Sequence, residues 1–232
     1  MNDVTLSAPD KNGIINALVG ELSEENKQRL KQFGSSMFFY DFVHERYLLP
    51  RLHKADPKRH RKILNSLLSP VKKSRVLDIA CGTGSAMAHI DESNAYTGLD
   101  LSYSMLREAV KKAKKKSFAA CRFIQGNAEK RLFDHESFDF VFMDTSLHLI
   151  PDYQRAIAQI SKVLTNGNLF VCSTPVVGVH KEFDEKWKKL AEKNAAHTFT
   201  MDDLQNVCHR NGLSFTRCGT NGGLLYFQAR KQ

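Results

Sequence analysis

The sequence predicts an α/β fold: a seven-stranded, mainly parallel, doubly wound sheet whose last strand is antiparallel, preceded by an N-terminal helical cap. Three observations carry that expectation. From Val76 onward, short apolar runs alternate with helical periodicity, the pattern of βαβ units. Two strand-like runs, Ser214–Arg217 and Leu224–Ala229, flank the turn sequence TNGG and read as a hairpin, so the last strand runs against the others. Before the core, residues 14–68 carry helical patterns with no sheet partner.

The cap helices are expected at Ile14–Leu22, Glu24–Phe33, around Met37–Leu49 and at Lys58–Leu68. Core strands are expected at Val76–Ala80, Tyr96–Asp100, Cys121–Gln125, Phe138–Met143 and Leu169–Ser173, each a short apolar run. Helices about Ser85–Ile90, Ser104–Lys116 and Asp152–Leu164 fill the gaps. The second ends in KKAKKK, cations that suit a helix C-terminus. The third puts Ala156, Ile157, Ile160, Val163 and Leu164 on one face, and TNGN stops it. Beyond the fifth strand, Phe183, Trp187, Leu190 and Ala191 stripe a helix at Lys181–Asn194, and Thr200 can cap another beside Asp202 and Asp203. The domain division that follows is a cap over residues 1–70, not independent, and a core over 71–232 with an insertion at about 174–198.

Composition narrows the class. No apolar run approaches the roughly 18 residues of a membrane helix, and the amino terminus, MNDVTLSAPDKNG, lacks the basic start and apolar stretch of a signal peptide, so a cytoplasmic protein is expected. Five cysteines show no metal-ligand spacing and read as thiols; no metal is expected. The net charge of +9 is concentrated: between Arg51 and Arg75 there are nine Lys or Arg against one Asp.

The stretch VLDIACGTG, Val76 to Gly84, follows a strand with a glycine-bearing turn. A dinucleotide fingerprint would need a third glycine where Ser85, Ala86 and Met87 stand, and no triphosphate loop GxxxxGK[ST] occurs. An acid inside an apolar strand is costly unless it is paired, so Asp78 reads as functional. The stretch resembles the first motif of class I S-adenosylmethionine-dependent methyltransferases, with Asp78, Ala80, Gly82 and Gly84 in the motif positions and Ala80 replacing its first glycine. YTGLDLS resembles the family's second strand, ending in Asp100 with Leu101 beside it. FIQGNAE carries Asn127 and Ala128 where the family usually has Asp-Ala, and FDFVFMDTSLHLI resembles its fourth strand, ending at Asp144. The resemblance runs from Val76 to Ala229 with its motifs in order.

It implies a Rossmann-like fold and S-adenosylmethionine as cofactor, with S-adenosylhomocysteine as product. It also implies donor contacts from Asp78, Ala80, Gly82, Gly84, Asp100, Leu101, Asn127, Ala128 and Asp144. Asp100 would accept the ribose hydroxyls, and Asn127 would accept the adenine amino group through its amide oxygen.

Methyl transfer from a sulfonium is an in-line displacement achieved largely by alignment, with a general base helping when the nucleophile is protonated. His148, past the fourth strand, is the candidate base, the alternative being a packing anchor for that loop. Phe33, Phe38, Phe39, Tyr40, Phe42 and Tyr47 crowd fifteen cap positions and read mostly as its packing face. Tyr40, in a segment FYD that resembles the cap of small-molecule methyltransferases, is the second catalytic candidate. With Phe183 and Trp187 the cap would close an apolar pocket, so a small organic molecule is the preferred acceptor. RNA methylation through the basic segment 51–75 is the runner-up, and a non-catalytic S-adenosylmethionine-binding protein stays open, as do the acceptor atom and the oligomeric state.

Overall fold

The computed structural model describes residues 6–18, 20–33 and 40–232, except the side chains of Phe33 and Tyr40. Along β2 (Arg75–Ile79) successive side chains enter opposite layers. Leu77 and Ile79 join one core with Ile157, Ile160 and Val163 of α5 (Tyr153–Val163) and Leu204 and Val207 of α7 (Met201–Arg210). Val76 joins a second core with Leu64 and Leu68 of α3 (Pro57–Leu68) and Leu106 and Ala109 of α4 (Tyr103–Ala113). This period-two alternation between two helical layers makes the sheet doubly wound.

The sheet contains β1 (Ile14–Asn16), β2, β3 (Ala95–Asp100), β4 (Ala120–Gln125), β5 (Phe138–Asp144), β6 (Leu164–Pro175), β7 (Leu213–Asn221) and β8 (Leu224–Lys231), in spatial order β1-β4-β3-β2-β5-β6-β8-β7. β8 runs antiparallel to both of its neighbours, β6 and β7, as the TNGG turn predicts. The order reverses at β2, so the crevice of the fold opens above the carboxyl ends of β2 and β5.

Among the described residues the sheet has eight strands, one more than the seven expected. The helix expected at Ile14–Leu22 is absent; Ile14–Asn16 instead pairs parallel with β4 at the sheet edge. Asp10 Oδ1 accepts the amides of Asn12 and Ile14, and Gly13 takes a φ of +78° at the turn, setting the chain extended just where Ile14 and Ile15 begin. Two β-branched residues beside an open edge favour strand, and so short a run has no period to reveal it.

In the cap, α1 (Glu24–Phe33) stands as expected. Residues 37–39 of the helix expected around Met37–Leu49 lie outside the described residues. The remainder is α2 (Tyr40–Val43) continuing into a π-helix at His44–Leu52, beyond the expected end and with Pro50 inside it. The wider helix suits a proline, which offers no N–H. Asp56 caps α3 by accepting from Arg59 N at 2.6 Å, with Pro57 in its first turn. Phe42 and Tyr47, expected on the packing face, are 60% and 45% exposed, the latter under the Arg51 guanidinium.

Two core expectations also change form. Ser85–His89 is a short 3-10 turn, and TNGN forms the bulged start of β6. The insertion carries α6 (Lys181–Lys193), whose buried Phe183, Trp187 and Ala191 form the expected stripe. Thr200 and Asp203 complete a capping box on α7. The β7–β8 turn reaches across to the cap: the Asn221 amide bonds both the N–H and the carbonyl of Asp56, and Gly223 N donates to His53 O. A Cβ at Gly222 would lie 2.2 Å from Lys54 O, so only glycine lets the turn approach this closely.

Candidate active site

An acid stands at or next to the carboxyl end of each of β2, β3 and β5, Asp78, Asp100 and Asp144, and all three line one cleft of about 1140 Å³, counting its open mouth. Asp78 is 2% exposed, and Tyr96 donates its hydroxyl to Oδ2 at 2.6 Å. Burial raises the Asp78 carboxyl well above its usual range; the Tyr96 hydrogen bond opposes this, and the charges of Asp144 and Asp100 add to it. Burial likewise raises Asp100, against the hydrogen bonds that its carboxylate accepts from the Ser102 and Gly82 amides, each at 2.8 Å. Asp144 behaves oppositely. Burial alone would raise it, but His60, His44 and the Ser173 hydroxyl together bring it down to about 2. The cleft thus collects three buried carboxyl groups at the sheet edge, an arrangement that a cationic ligand would balance.

The loop after β2 turns through left-handed backbone at Ala80 (φ +54°), Gly82 and Gly84. Gly84 does not line the cleft. A Cβ there would meet Met87 Cε at 2.3 Å and Ala109 Cβ at 3.1 Å, so its role is to seat the loop against α4. Ala80, Gly82, Leu101, Asn127 and Ala128 all line the cleft. Asn127 Oδ1 accepts from Glu129 N at 2.9 Å and Nδ2 donates to Glu129 Oε2, which fixes the amide orientation and leaves the oxygen one further lone pair.

Of the two catalytic candidates, His148 has a described side chain and Tyr40 does not. The Tyr40 side chain lies outside the described residues. His148 is buried away from the cleft, its ring edge-on to Trp187 at 5.2 Å and to His53 at 6.1 Å, and among the described residues its Nδ1 has no hydrogen-bond partner. Burial holds it well below the usual histidine range. The geometry favours packing: His148 follows Leu147 and Ser146 in a 3-10 turn that directs the ring beneath the insertion helix.

Several cleft residues have no local sequence signal. Asn26, Arg29 and Leu30 share one face of α1, and α1 roofs the cleft. The Asn26 amide donates to Glu129 at 3.1 Å, while Arg29 donates to the carbonyls of Leu149 (3.1 Å), Asn194 (2.7 Å) and Ala195. At the other side, Asp41 of α2 accepts from the loop residue Thr83 at 2.5 Å and from Lys112 of α4. The spacing of residues 26, 29 and 30 is their only trace in the sequence.

Of the nine basic residues between Arg51 and Arg75, Lys54, Arg61, Lys72 and Arg75 pair with Glu182, Glu45, Asp91 and Asp139. Among the described residues, no His, Cys, Asp and Glu group is placed to hold a metal, and no helix is long and apolar enough to cross a membrane.

A sheet reversing at β2, acids near the ends of its adjacent strands and a left-handed glycine loop between them are the fold features of the class I S-adenosylmethionine-dependent methyltransferase family. The chain belongs to that family: the family described as "Methyltransferase domain" matches residues 70–220, more than half of the chain. It is 31% identical over 147 residues to a malonyl-[acyl-carrier protein] O-methyltransferase of Hamiltonella defensa, covering 62% of this chain and 55% of that protein. It is 33% identical over 129 residues to a demethylmenaquinone methyltransferase of Staphylococcus epidermidis, covering 53% of each. The chain thus spans about half the length of the curated relatives it matches. A solved structure of Haemonchus contortus phospholethanolamine N-methyltransferase 2 shares the fold, with a TM-score of 0.69, 16% identity, and 92% of this chain and 60% of that one covered.

Proposed function

We propose that this chain is a methyltransferase that takes its methyl group from S-adenosylmethionine and delivers it to a small organic molecule. One observation carries the reading: Asp78, Asp100 and Asp144 meet the left-handed loop in a single cleft under α1. A donor with a sulfonium and an ammonium brings the positive charge that these buried acids lack. The Haemonchus structure is a complex with S-adenosylhomocysteine and phosphomonomethylethanolamine, and the two curated relatives are also named for methyl transfer, all of which supports the donor and a small acceptor.

When bound, the donor supplies a methyl group on a sulfonium that is displaced in line, leaving S-adenosylhomocysteine. The chain's own residues hold and orient it. Asp78 balances the ammonium through the network it shares with Tyr96. Asp100, fixed by the Gly82 and Ser102 amides, keeps lone pairs for the ribose hydroxyls, and Asn127 keeps one for the adenine amino group. Asn26, Arg29 and Leu30 cover the cleft and limit water at the reacting centre. Calorimetric titration with S-adenosylmethionine and S-adenosylhomocysteine tests this reading. Saturable binding of both is expected, and no heat with either would overturn it.

A further inference from the structure

A second cavity of about 590 Å³ lies beside the donor cleft, and the two share His44, Ser85, Ala86 and Asp144 as a common wall. Asp41, Glu45, His60, Arg61 and His89 complete most of its polar lining. Three imidazoles and three carboxylates face this chamber, and its guanidinium, Arg61, is paired with Glu45 at 3.1 Å.

Hydrogen bonds distribute the roles. His60 Nε2 lies 3.4 Å from Asp144 Oδ2, and Nδ1 lies 2.7 Å from the Tyr226 hydroxyl. An ionised carboxylate only accepts, so in the neutral ring Nε2 carries the hydrogen and Nδ1 accepts from Tyr226. Burial pushes the Tyr226 phenol well above its ordinary value, which keeps its proton available for that bond. Both nitrogens of His60 are thereby committed, while Ser173 donates to Asp144 Oδ1 at 2.5 Å. His44 sits on the shared wall, its Nε2 3.2 Å from Thr145 Oγ1 and its ring centre 6.1 Å from that of His60.

We infer that the chamber holds the methyl acceptor, a neutral or cationic small molecule whose nucleophilic oxygen or nitrogen carries a proton, and that His44 is the base that removes it. This rests on the donor reading above. The nucleophile's electron pair forms the bond to the methyl carbon, and the carbon–sulfur pair leaves with sulfur as a neutral thioether. The nucleophile's proton passes to the imidazole of His44 and then to solvent. Asp144 stabilises the imidazolium, and His60 is a positioning residue that orients Asp144.

Burial holds His44 below the usual histidine range, leaving it neutral and able to accept a proton. Asp144, Asp41 and Glu45 face it and favour the protonated ring, and His60 opposes them. An acceptor nucleophile that is already a carboxylate would need no base and would be repelled by Asp144.

Ring-proton NMR titration tests the pairing without any acceptor, the His44 resonance being assigned by its loss in His44→Gln. In Asp144→Asn its midpoint should fall by about one unit. Transfer of labelled methyl from S-adenosylmethionine into a metabolite extract, at saturating donor, tests the base. His44→Gln should slow it by about 100-fold or more and remove the acidic limb of the pH profile. An unmoved midpoint, or a wild-type rate and profile in His44→Gln, would overturn the inference. Failure of the donor reading shows separately, as no heat of S-adenosylmethionine binding to the wild-type protein, and the ring titration is readable in either case.

Discussion

Replacing Asp78 by Asn should make the protein more stable and worse at holding its donor. At 2% exposure, Asp78 is held above its ordinary pKa by burial, and the charges of Asp100 and Asp144 add to the shift. A carboxyl whose pKa is raised by folding contributes stability that is fully present below about 3.8 and lost as pH rises through its folded value. At neutral pH the free protein therefore bears the cost of this raised pKa. Asn keeps an oxygen to accept from Tyr96 and has no charge to bury. A site residue held against stability commonly releases about 1–2 kcal/mol when replaced, which for a chain of this size raises Tm by about 2–8 °C. The gain should be present at pH 7 and absent near pH 3, where Asp78 is protonated in both states. Donor affinity moves the other way, since losing a charge-assisted hydrogen bond costs about 1.5–3 kcal/mol, or roughly 10- to 100-fold in Kd. Differential scanning calorimetry at the two pH values and titration with S-adenosylmethionine read both effects. A fall in Tm at pH 7, or unchanged affinity, would refute the reasoning, because Asp78 would then be a structural residue.

Four other outcomes follow from the same geometry. Asp100→Ala should weaken S-adenosylmethionine binding by about tenfold or more in calorimetry, because the proposed ribose acceptor and the tether to Gly82 go together. Gly84→Ala should lower Tm more than Gly82→Ala. Both add a Cβ to left-handed backbone at about 1–2 kcal/mol, but only the Gly84 methyl meets Met87 and Ala109, adding about 1–3 kcal/mol of overpacking; equal melting shifts would count against the packing role. Asp144, lowered to about 2 from an ordinary value near 3.8, contributes about 2 kcal/mol that is present above pH 4 and lost as pH falls toward 2. Acid unfolding of Asp144→Asn should therefore be flatter in that window than that of the wild-type protein. Arg29→Ala removes donors to three backbone carbonyls, and limited proteolysis should cut at or near α1 faster than in the wild-type protein.

The strand-end half of the cleft is legible in the sequence because its residues sit within single strand-turn segments: Asp78 with its loop, Asp100 with Leu101, Asn127 with Ala128. Local order along the chain is also order along the sheet edge. The roof and the imidazole chamber were not legible, because tertiary packing alone brings them there. Asn26 meets Glu129 across 103 residues, and His60 meets Tyr226 across 166. His148 shows a subtler failure. Its place after β5 put it at the correct sheet edge, but a 3-10 turn rotates the ring toward Trp187, and a one-residue rotation carries no composition signal. β1 was missed because a three-residue run has no period, and the edge that accepts it is built from β4, more than a hundred residues later.

The clasp between the β7–β8 turn and the His53–Asp56 stretch bears on the order of assembly during synthesis. Asp56 emerges from the ribosome 165 residues ahead of Asn221, the side chain that grips it. At about 5–20 residues per second that gap lasts roughly ten to thirty seconds. Until the hairpin arrives, β6 also lacks the neighbour that becomes β8, and Leu49 and Ala55 lack the apolar partners Leu224 and Tyr226. The nascent chain must therefore carry an unseated cap and an open strand edge for the length of that interval, and the final hairpin closes both at once.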